Sequence, residues 1–561
     1  MSAAQRSVDV IVAGAGHNGL VAAAYLAKAG LDVLVLEASP VLGGMTATNA
    51  IFPEAPDHLV NEGSVQASLF RTTTIDADLE LSTKYGLRQR VTDPAHVQMQ
   101  LDHRSLALWR DPRKVADELR YFSPQDAKAY LDMYEVIAAG MEIGLPLMQT
   151  NPRHPEFPAV RKFLVRAARH SRKLSEIIRW AGATQAETVE ERFDSDIIRA
   201  ALMIGLPFMN YHSDASGWSL IYLGILSKYG VSMFEGGTGA FPRALSRVIA
   251  DNGGRIRTNA KVTRLVVRAG RVVGVEVNGN EQLYSRRGVL TAFSPSQTLN
   301  RLLPDGVLPR RQANRVAHIP TSGRGFADAK VNVVLKGKIT MKKMEQWRGD
   351  GLNLKIPLNS FHTYQETLNA QAACIRGEVP DHVPGLGYCT TAFDPSLGPP
   401  DKDTWWFWTG LVPFDPHTGW DAARKAITDT VIEQSSFYYE GLDELEIARK
   451  SLMPPDIEER FNAVDGSVYH VDPVITRFGP AKPAWGFAGY STPVPGLFLS
   501  GSGTHPVAGI SGMPGQNAAK TMIKLFRRED KKGIANHAVE EARGWDDALS
   551  DSTEPGTRSN Q

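Results

Sequence analysis

Three glycines near the start of the chain have the spacing that brings a peptide backbone close to a phosphate group. They are Gly14, Gly16 and Gly19, and His17 and Asn18 lie between the second and the third. The first glycine allows a tight turn, the second lets the backbone approach a pyrophosphate, and the third lets a helix pack closely against a strand. Free N–H groups and the dipole at the start of that helix favour an anion. The pattern therefore predicts a dinucleotide site.

The predicted elements around this motif are those that a dinucleotide site needs. An apolar run at residues 8–12 predicts a buried strand, and residues 20–29, rich in Ala and Leu, predict the helix that follows. Residues 32–36 predict a second strand, which Glu37 ends. A carboxylate there can bind both hydroxyls of a ribose and disfavours a 2′-phosphate. Together these features indicate a parallel β-α-β unit that binds a dinucleotide.

Further glycine-rich blocks follow this unit along the chain. Gly43 and Gly44 form a doublet shortly after Glu37. The other blocks are EGGTGAFP at residues 235–242, GSGTHP at residues 501–506 and GMPGQN at residues 512–517.

In this order, the blocks resemble the FAD superfamily that includes phytoene dehydrogenases, amine oxidases and retinol saturase. The likeness is strongest to phytoene dehydrogenase-like proteins, among them the branch called pyridine nucleotide-disulfide oxidoreductase domain-containing protein 2. This chain lacks the redox cysteine pair that the branch name suggests. The resemblance implies FAD as cofactor, because a glycine doublet after Glu37 is typical of FAD sites and not of NAD sites. It also implies that the backbone of Val262 contacts the adenine.

The last glycine-rich blocks are expected to hold the flavin ring of the FAD. The family places the ring beside a loop and the start of a helix, and the matching positions here are Gly503, Gly512, Met513, Pro514 and Asn517. A reduced flavin is negatively charged near its pyrimidine edge, so a helix start aimed there stabilises it. Many flavoproteins place an acid on the ribityl chain at positions 501–502, and this chain has none there.

The element pattern predicts an α/β protein, and the resemblance implies a Rossmann-type FAD-binding domain with an interleaved, mixed α+β substrate domain, as in amine oxidases and phytoene dehydrogenases. We assign residues 1–75, 227–298 and 486–535 to the FAD-binding domain. Residues 76–226, mostly helical, and 299–485 are assigned to the substrate domain. The polar residues 536–561 are predicted to form a loose tail.

Substrate chemistry needs a proton acceptor if a C–C bond becomes a double bond. Lys330, on a strand predicted at residues 330–335, is the first candidate, and amine oxidases have a lysine at a similar place that holds a water near the flavin. The alternative is a solvent-facing strand lysine. His505 in the flavin loop either acts on the substrate or ring, or is a structural histidine bonded to nearby backbone. Glu62 and His212 are weaker candidates, because no spacing fixes a role for them.

Four consecutive aromatic residues, Trp405 to Trp408 with Phe407 among them, lie on a predicted strand. Trp406 and Trp408 share one face of that strand. This face either lines an apolar substrate tunnel or belongs to ordinary sheet packing.

Composition narrows the remaining possibilities. The 561 residues carry a net charge of +1, which gives no indication of a nucleic-acid partner. Cys374 and Cys389 form no metal or dithiol pattern, so we expect no metal and a reducing, cytoplasmic compartment. Residues 160–180 are rich in Arg and Lys with one acid, Glu176, and keep an apolar helical face. They form either a helix that docks on anionic lipid or a solvated surface helix.

Four functions are compatible with these patterns. The first is an FAD-dependent dehydrogenase that removes hydride and a proton from an apolar, isoprenoid-like molecule and passes electrons to dioxygen or a quinone. The second is an amine-oxidase-like enzyme, which the non-aromatic residues 506–509 disfavour. The third is a saturase or isomerase that uses reduced flavin. The fourth is a flavin-free scaffold like the Rab GDP-dissociation inhibitors, and the intact phosphate loop disfavours it. The pattern does not predict an oligomeric state.

Overall fold

The computed structural model describes residues 7–204, 217–322, 325–531 and 533. His212 and the predicted tail at residues 536–561 lie outside these residues.

The strands are β1 (Ser7–Ala13), β2 (Val33–Leu36), β3 (Thr48–Asn49), β4 (Val60–Asn61), β5 (Gln89–Thr92), β6 (His96–Met99), β7 (Ser105–Leu108), β8 (Val231–Phe234), β9 (Arg255–Arg257), β10 (Val262–Arg268), β11 (Arg271–Val277), β12 (Glu281–Thr291), β13 (Phe326–Leu335), β14 (Leu358–Ser360), β15 (Leu386–Cys389), β16 (Thr404–Pro413), β17 (Glu446–Leu452) and β18 (Leu497–Leu499).

The α-helices are α1 (His17–Lys28), α2 (Ile75–Leu79), α3 (Pro112–Phe122), α4 (Pro124–Met148), α5 (Phe157–Arg169), α6 (Ser171–Gly182), α7 (Gln185–Glu190), α8 (Asp196–Ile204), α9 (Ile221–Tyr229), α10 (Ala240–Asp251), α11 (Arg310–Ala317), α12 (Lys342–Arg348), α13 (Tyr364–Ile375), α14 (Thr390–Phe393), α15 (Gly419–Ser436), α16 (Pro454–Phe461) and α17 (Met513–Lys531).

The first sheet carries the dinucleotide motif. Its parallel strands have the order β9-β2-β1-β12-β18, and β10 and β11 extend it as an antiparallel meander from the first part of β12. Strand β1 is almost wholly buried, as a parallel strand covered on both faces must be. Helix α1 packs against α10 and α17, so elements distant in sequence close over the motif.

The second sheet has the order β17-β13-β16-β15-β14-β6-β7, antiparallel except between β14 and β6. Trp405 and Phe407 of β16 lie in the core on one face of this sheet. Trp406 and Trp408 lie on the other face, in an apolar cluster with residues of β14, β15 and α9. The architecture confirms the predicted α/β fold with an interleaved second unit. The exact domain boundaries stay predictions.

Helices α3 to α9 supply the mostly helical part that the sequence indicated. Residues 160–180, expected to form one helix, belong to two, α5 and α6, which are separated at His170. Cys374 and Cys389 are buried free thiols. Among the helices in the described ranges, none combines the length and apolar character that crossing a bilayer requires.

Candidate cofactor and substrate site

A cleft of about 1100 Å³, including its open mouth, runs along the carboxyl ends of the first sheet. It brings together residues of the first glycine motif, the doublet Gly43-Gly44 and the block at 501–506, whereas the blocks at 235–242 and 512–517 do not line it. Its lining includes Gly14, Gly16, His17, Asn18, Glu37, Gly43, Gly44, Val262, Phe293, Arg460, His470, Ser502 and Gly509. The cleft therefore contains most of the predicted cofactor residues.

The three motif glycines have different surroundings, as their predicted roles require. Gly14 has φ +98°, which disfavours any residue with a side chain. A Cβ atom on Gly19 would lie 2.1 Å from the carbonyl oxygen of Gly14, so the third glycine permits contact between α1 and the turn. A Cβ atom on Gly16 would meet nothing within 4 Å. The second glycine therefore faces open space beside the start of α1, where a phosphate can approach.

Glu37 is held in place at the end of β2 by the backbone. Its Oε2 accepts from the N–H of Ala15 at 2.7 Å, and its Oε1 accepts from the N–H of Ser39 at 2.8 Å. A carboxylate has lone-pair capacity for further donors, so Glu37 can still receive ribose hydroxyls.

Unsatisfied polar atoms along the cleft match the needs of FAD. No side chain caps the start of α1 at Gly16. Within the described ranges, Nε2 of His17 and Oδ1 of Asn18 are buried and have no hydrogen-bond partner. Buried polar groups are normally paired, so these two atoms suit a ligand with polar groups. The uncapped helix start, with its free N–H groups, suits the anionic part of such a ligand.

The last block surrounds the start of α17. Gly503, Gly512, Met513 and Pro514 are buried there, whereas Ser502 and Gly509 line the cleft. Asn517 points elsewhere: its Nδ2 donates to the carbonyl of Met148 at 3.2 Å and to the hydroxyl of Tyr490 at 3.0 Å.

Lys330 is buried, with only 4% of its surface exposed, so the alternative of a solvent-facing strand lysine is wrong. Its Nζ donates to the carbonyl oxygens of Asn61 and Gly63, the latter at 2.8 Å, and lies 5.5 Å from the ring centre of Trp406. Burial lowers its pKa well below the usual value. Ser64, which follows Gly63 in the chain, lines the cleft. Lys330 therefore anchors the segment that forms this wall.

His505 contacts the backbone, as expected if it is a structural histidine. Its Nε2 lies 3.0 Å from the carbonyl oxygen of Leu147 at the end of α4. Burial lowers its pKa to about 4, so the ring is neutral at pH 7. His505 lies outside the lining given above, and its predicted catalytic role stays a prediction.

Arg460 and His470 are among the polar residues of the cleft that were not predicted from the sequence. Arg460 at the end of α16 pairs with Glu62, and His470 follows in an irregular segment. Neither belongs to a motif, and both reach the cleft from the second half of the chain. A sequence pattern offers no signal for such contacts.

An apolar cavity, about 550 Å³ including its open mouth, lies over the second sheet, on the face that carries Trp406. It is lined by Gln66, Ala95, His96, Leu108, Trp109, Tyr130, Ala201, Leu223, Leu226, Ser227, Val231, Leu358 and Leu386. His96 is neutral, because burial lowers its pKa to about 3, and its Nε2 lies 2.5 Å from the hydroxyl of Ser360.

Comparison with known proteins identifies the class. The model of the family described as flavin containing amine oxidoreductase matches residues 19–327, more than half of the chain. This protein belongs to that family: it is an FAD-dependent oxidoreductase.

Individual relatives agree with this assignment. The chain is 29% identical to pyridine nucleotide-disulfide oxidoreductase domain-containing protein 2 of Mus musculus, over 92% of this chain and 93% of the relative. It is 24% identical to the lycopene-forming phytoene desaturase of Pseudescherichia vulneris, over 92% of this chain and 98% of the relative. The structure of cyclohexylamine oxidase from Brevibacterium oxydans IH-35A shares the fold, with a TM-score of 0.56 at 17% identity. The match covers 93% of this chain and 99% of that structure.

Proposed function

We propose that this protein is an FAD-dependent dehydrogenase that desaturates an apolar, isoprenoid-like substrate and passes the electrons to dioxygen or a quinone. The supporting observation is the adjacency of the cofactor cleft and the apolar cavity. Ser64 lines the cleft, Val65 belongs to the apolar cluster, and Gln66 lines the cavity. Consecutive Cα atoms are about 3.8 Å apart, so the three residues 64–66 span only a short distance. This one segment of chain separates a molecule in the cavity from the cleft.

The lining of the cavity favours a hydrocarbon over an amine. None of the residues given above as lining it is acidic, and His96 carries no charge. A protonated amine would lose its hydration there without gaining a carboxylate, which is costly, whereas apolar surface is stabilised by leaving water. This argues against the amine-oxidase-like alternative.

The protein's contribution to the reaction is orientation and the exclusion of water. Bound FAD supplies the hydride acceptor. The apolar walls hold the substrate, and Lys330 fixes residues 61–63, from which the chain runs directly into the cavity wall. The proton leaves for water or a nearby base. Lys330 serves as a positioning residue, because its hydrogen bonds hold this segment in place. Relatives named as phytoene desaturases are consistent with this chemistry.

Anaerobic flavin bleaching tests the proposal. Isoprenoid hydrocarbons are expected to bleach the flavin absorbance of the holoprotein, and amines of equal size are not. Leu386→Trp, which fills the cavity, should abolish bleaching by hydrocarbons and keep the flavin spectrum. Leu101→Trp is the control, because Leu101 is 68% exposed. Bleaching by amines alone would establish the amine-oxidase-like alternative. Oxidation of chemically reduced flavin by an unsaturated hydrocarbon would establish the saturase alternative.

We further propose that helices α5 and α6 dock on an anionic membrane surface, from which a lipid-soluble substrate can enter. No residue of α5 is buried. Leu164, Val165 and Ile178 are 58%, 57% and 69% exposed, and exposed Arg and Lys residues surround them. The acid of the segment, Glu176, is paired with Arg192. Apolar side chains within a basic surface match a bilayer of anionic lipid.

Vesicle sedimentation tests this docking. The protein should sediment with vesicles that contain phosphatidylglycerol and much less with pure phosphatidylcholine. Leu164→Glu combined with Val165→Glu should abolish sedimentation, whereas Leu101→Glu should not. Equal sedimentation of both variants would contradict the proposal.

A further inference from the structure

His470 occupies a close-packed position on the wall of the cofactor cleft. It lines the cleft together with His17 and Ser502 and is only 8% exposed. A Cβ atom added to Gly503 would lie 3.1 Å from the Cβ atom of His470, which is tighter than ordinary contact. The Cβ atom of His470 therefore lies close to the loop that follows β18.

The backbone of His470 has a conformation that residues with a side chain rarely adopt. Its φ is +61°, in the left-handed region. Such conformations persist where the surrounding structure imposes them, and they concentrate at binding and active sites.

The hydrogen bonds of His470 determine what its free nitrogen can bind. The ring hydrogen-bonds to the Phe293 backbone, an interaction that favours the protonated ring, so the imidazole is the donor. Within the described ranges, the buried Nδ1 has no partner, and we therefore assign that bond, and the ring proton, to Nε2. Burial, with the nearby His17 and Lys482, lowers the pKa of His470 to about 4. The ring is neutral, with its proton on Nε2, and Nδ1 is an acceptor.

We propose that His470 binds the ribityl chain of FAD through Nδ1, which accepts a hydrogen bond from a ribityl hydroxyl. Phosphate oxygens are acceptors and cannot satisfy Nδ1, whereas the hydroxyls of the chain between pyrophosphate and ring are donors. Residues 501–502 contain no acid that could accept these bonds. A neutral imidazole provides the acceptor without placing negative charge beside the pyrophosphate.

Apoprotein titrations with FAD and with ADP test this contact, because ADP lacks the ribityl chain. His470→Gly removes the acceptor and tolerates the left-handed backbone. We expect its Kd for FAD to rise about fivefold, the equivalent of one net hydrogen bond, with no change for ADP. His470→Asn keeps an acceptor and also tolerates this conformation, so its Kd for FAD should stay within about twofold of the wild type. An unchanged Kd for FAD in His470→Gly, or an equal loss for ADP, would overturn the proposal.

A measurement on the unmodified protein provides a second test. An FAD analogue with a deoxygenated ribityl chain should bind the wild-type apoprotein about fivefold more weakly than FAD, for the same lost hydrogen bond. Equal affinity for FAD and this analogue would contradict the role of His470.

Discussion

Glu62 and Arg460 form a two-point ion pair at the edge of the cofactor cleft, with Nε–Oε2 and Nη2–Oε1 distances of 2.8 and 2.9 Å. Asn49 also donates to this carboxylate. Burial alone would raise the pKa of Glu62, but the hydrogen bonds and charge of Arg460 hold it below the usual 4.5. The pair joins the segment that Lys330 anchors to the end of α16.

Glu62→Gln should destabilise the protein at neutral pH by about 1–3 kcal/mol, because Arg460 loses its carboxylate in a half-buried site. The folded-state pKa of Glu62 is depressed, so its contribution is present above pH 4.5 and is lost as pH falls through the folded value. The difference from wild type in urea denaturation should therefore shrink at pH 4. Glu378→Gln, at an exposed pair, is the control. An equal difference at both pH values would contradict this linkage.

Gly16→Ala and Gly19→Ala should change different properties of the protein: the first should weaken FAD binding, and the second should lower the stability of the apoprotein. The Cβ at position 16 meets no protein atom within 4 Å, and Gly16 has φ −64°, so the apoprotein should keep its stability. The methyl group occupies the approach to the phosphates, so the Kd for FAD should rise at least about tenfold, as expected for a lost charge-assisted bond. Gly19→Ala should destabilise the apoprotein itself by several kcal/mol, because its Cβ would meet the Gly14 oxygen at 2.1 Å. Calorimetry of the apoproteins and FAD titration separate the two effects.

Lys330→Met should lower the free energy of unfolding by about 2–4 kcal/mol, since two backbone carbonyls lose their donor in a buried site. FAD affinity should fall as well, because residues 61–63 lead into the cleft wall. Lys336→Met is the matched control, because Lys336 directly follows the same strand and is exposed. Equal effects of the two substitutions would show that Lys330 has no anchoring role.

Buried neutral histidines should make the apoprotein acid-sensitive. Burial lowers the pKa values of His17, His470 and His505 to about 4 from 6.5. Between these pH values the unfolded chain binds more protons than the folded protein does. The stability is therefore present in full above pH 6.5 and falls as the pH drops towards 4. His505→Gln should reduce this slope by up to about 1.4 kcal/mol per pH unit. His154→Gln, at an exposed position, should leave it unchanged.

The cofactor half was predictable because its signals are local. The turn at Gly14, the packing of Gly19 and the position of Glu37 all follow from one short run of chain. In the structure, Gly19 lies against the carbonyl of Gly14, and Glu37 accepts from the N–H of Ala15. The aromatic run was also informative, because strand alternation alone separates Trp406 from Trp405.

The remaining features depend on partners that are distant in sequence. Lys330 is buried only because residues 61–63 supply carbonyl acceptors. The cleft position of His470 depends on the glycine at 503. The predicted single helix at 160–180 was wrong because both sides of the break at His170 have helical composition. Periodicity cannot place a break that follows from packing on α4.

The order of strands in the first sheet has a consequence for biosynthesis. Strand β12 lies between β1 and β18, and α17 packs on α1, so the cofactor cleft is completed by Ser502 and Gly509, which are synthesised long after the first glycine motif. A nascent chain that exposes only the N-terminal glycine motif lacks these walls. Flavin should therefore be captured only after β18 and the loop that follows it have been synthesised, and the incomplete sheet needs protection from aggregation until then.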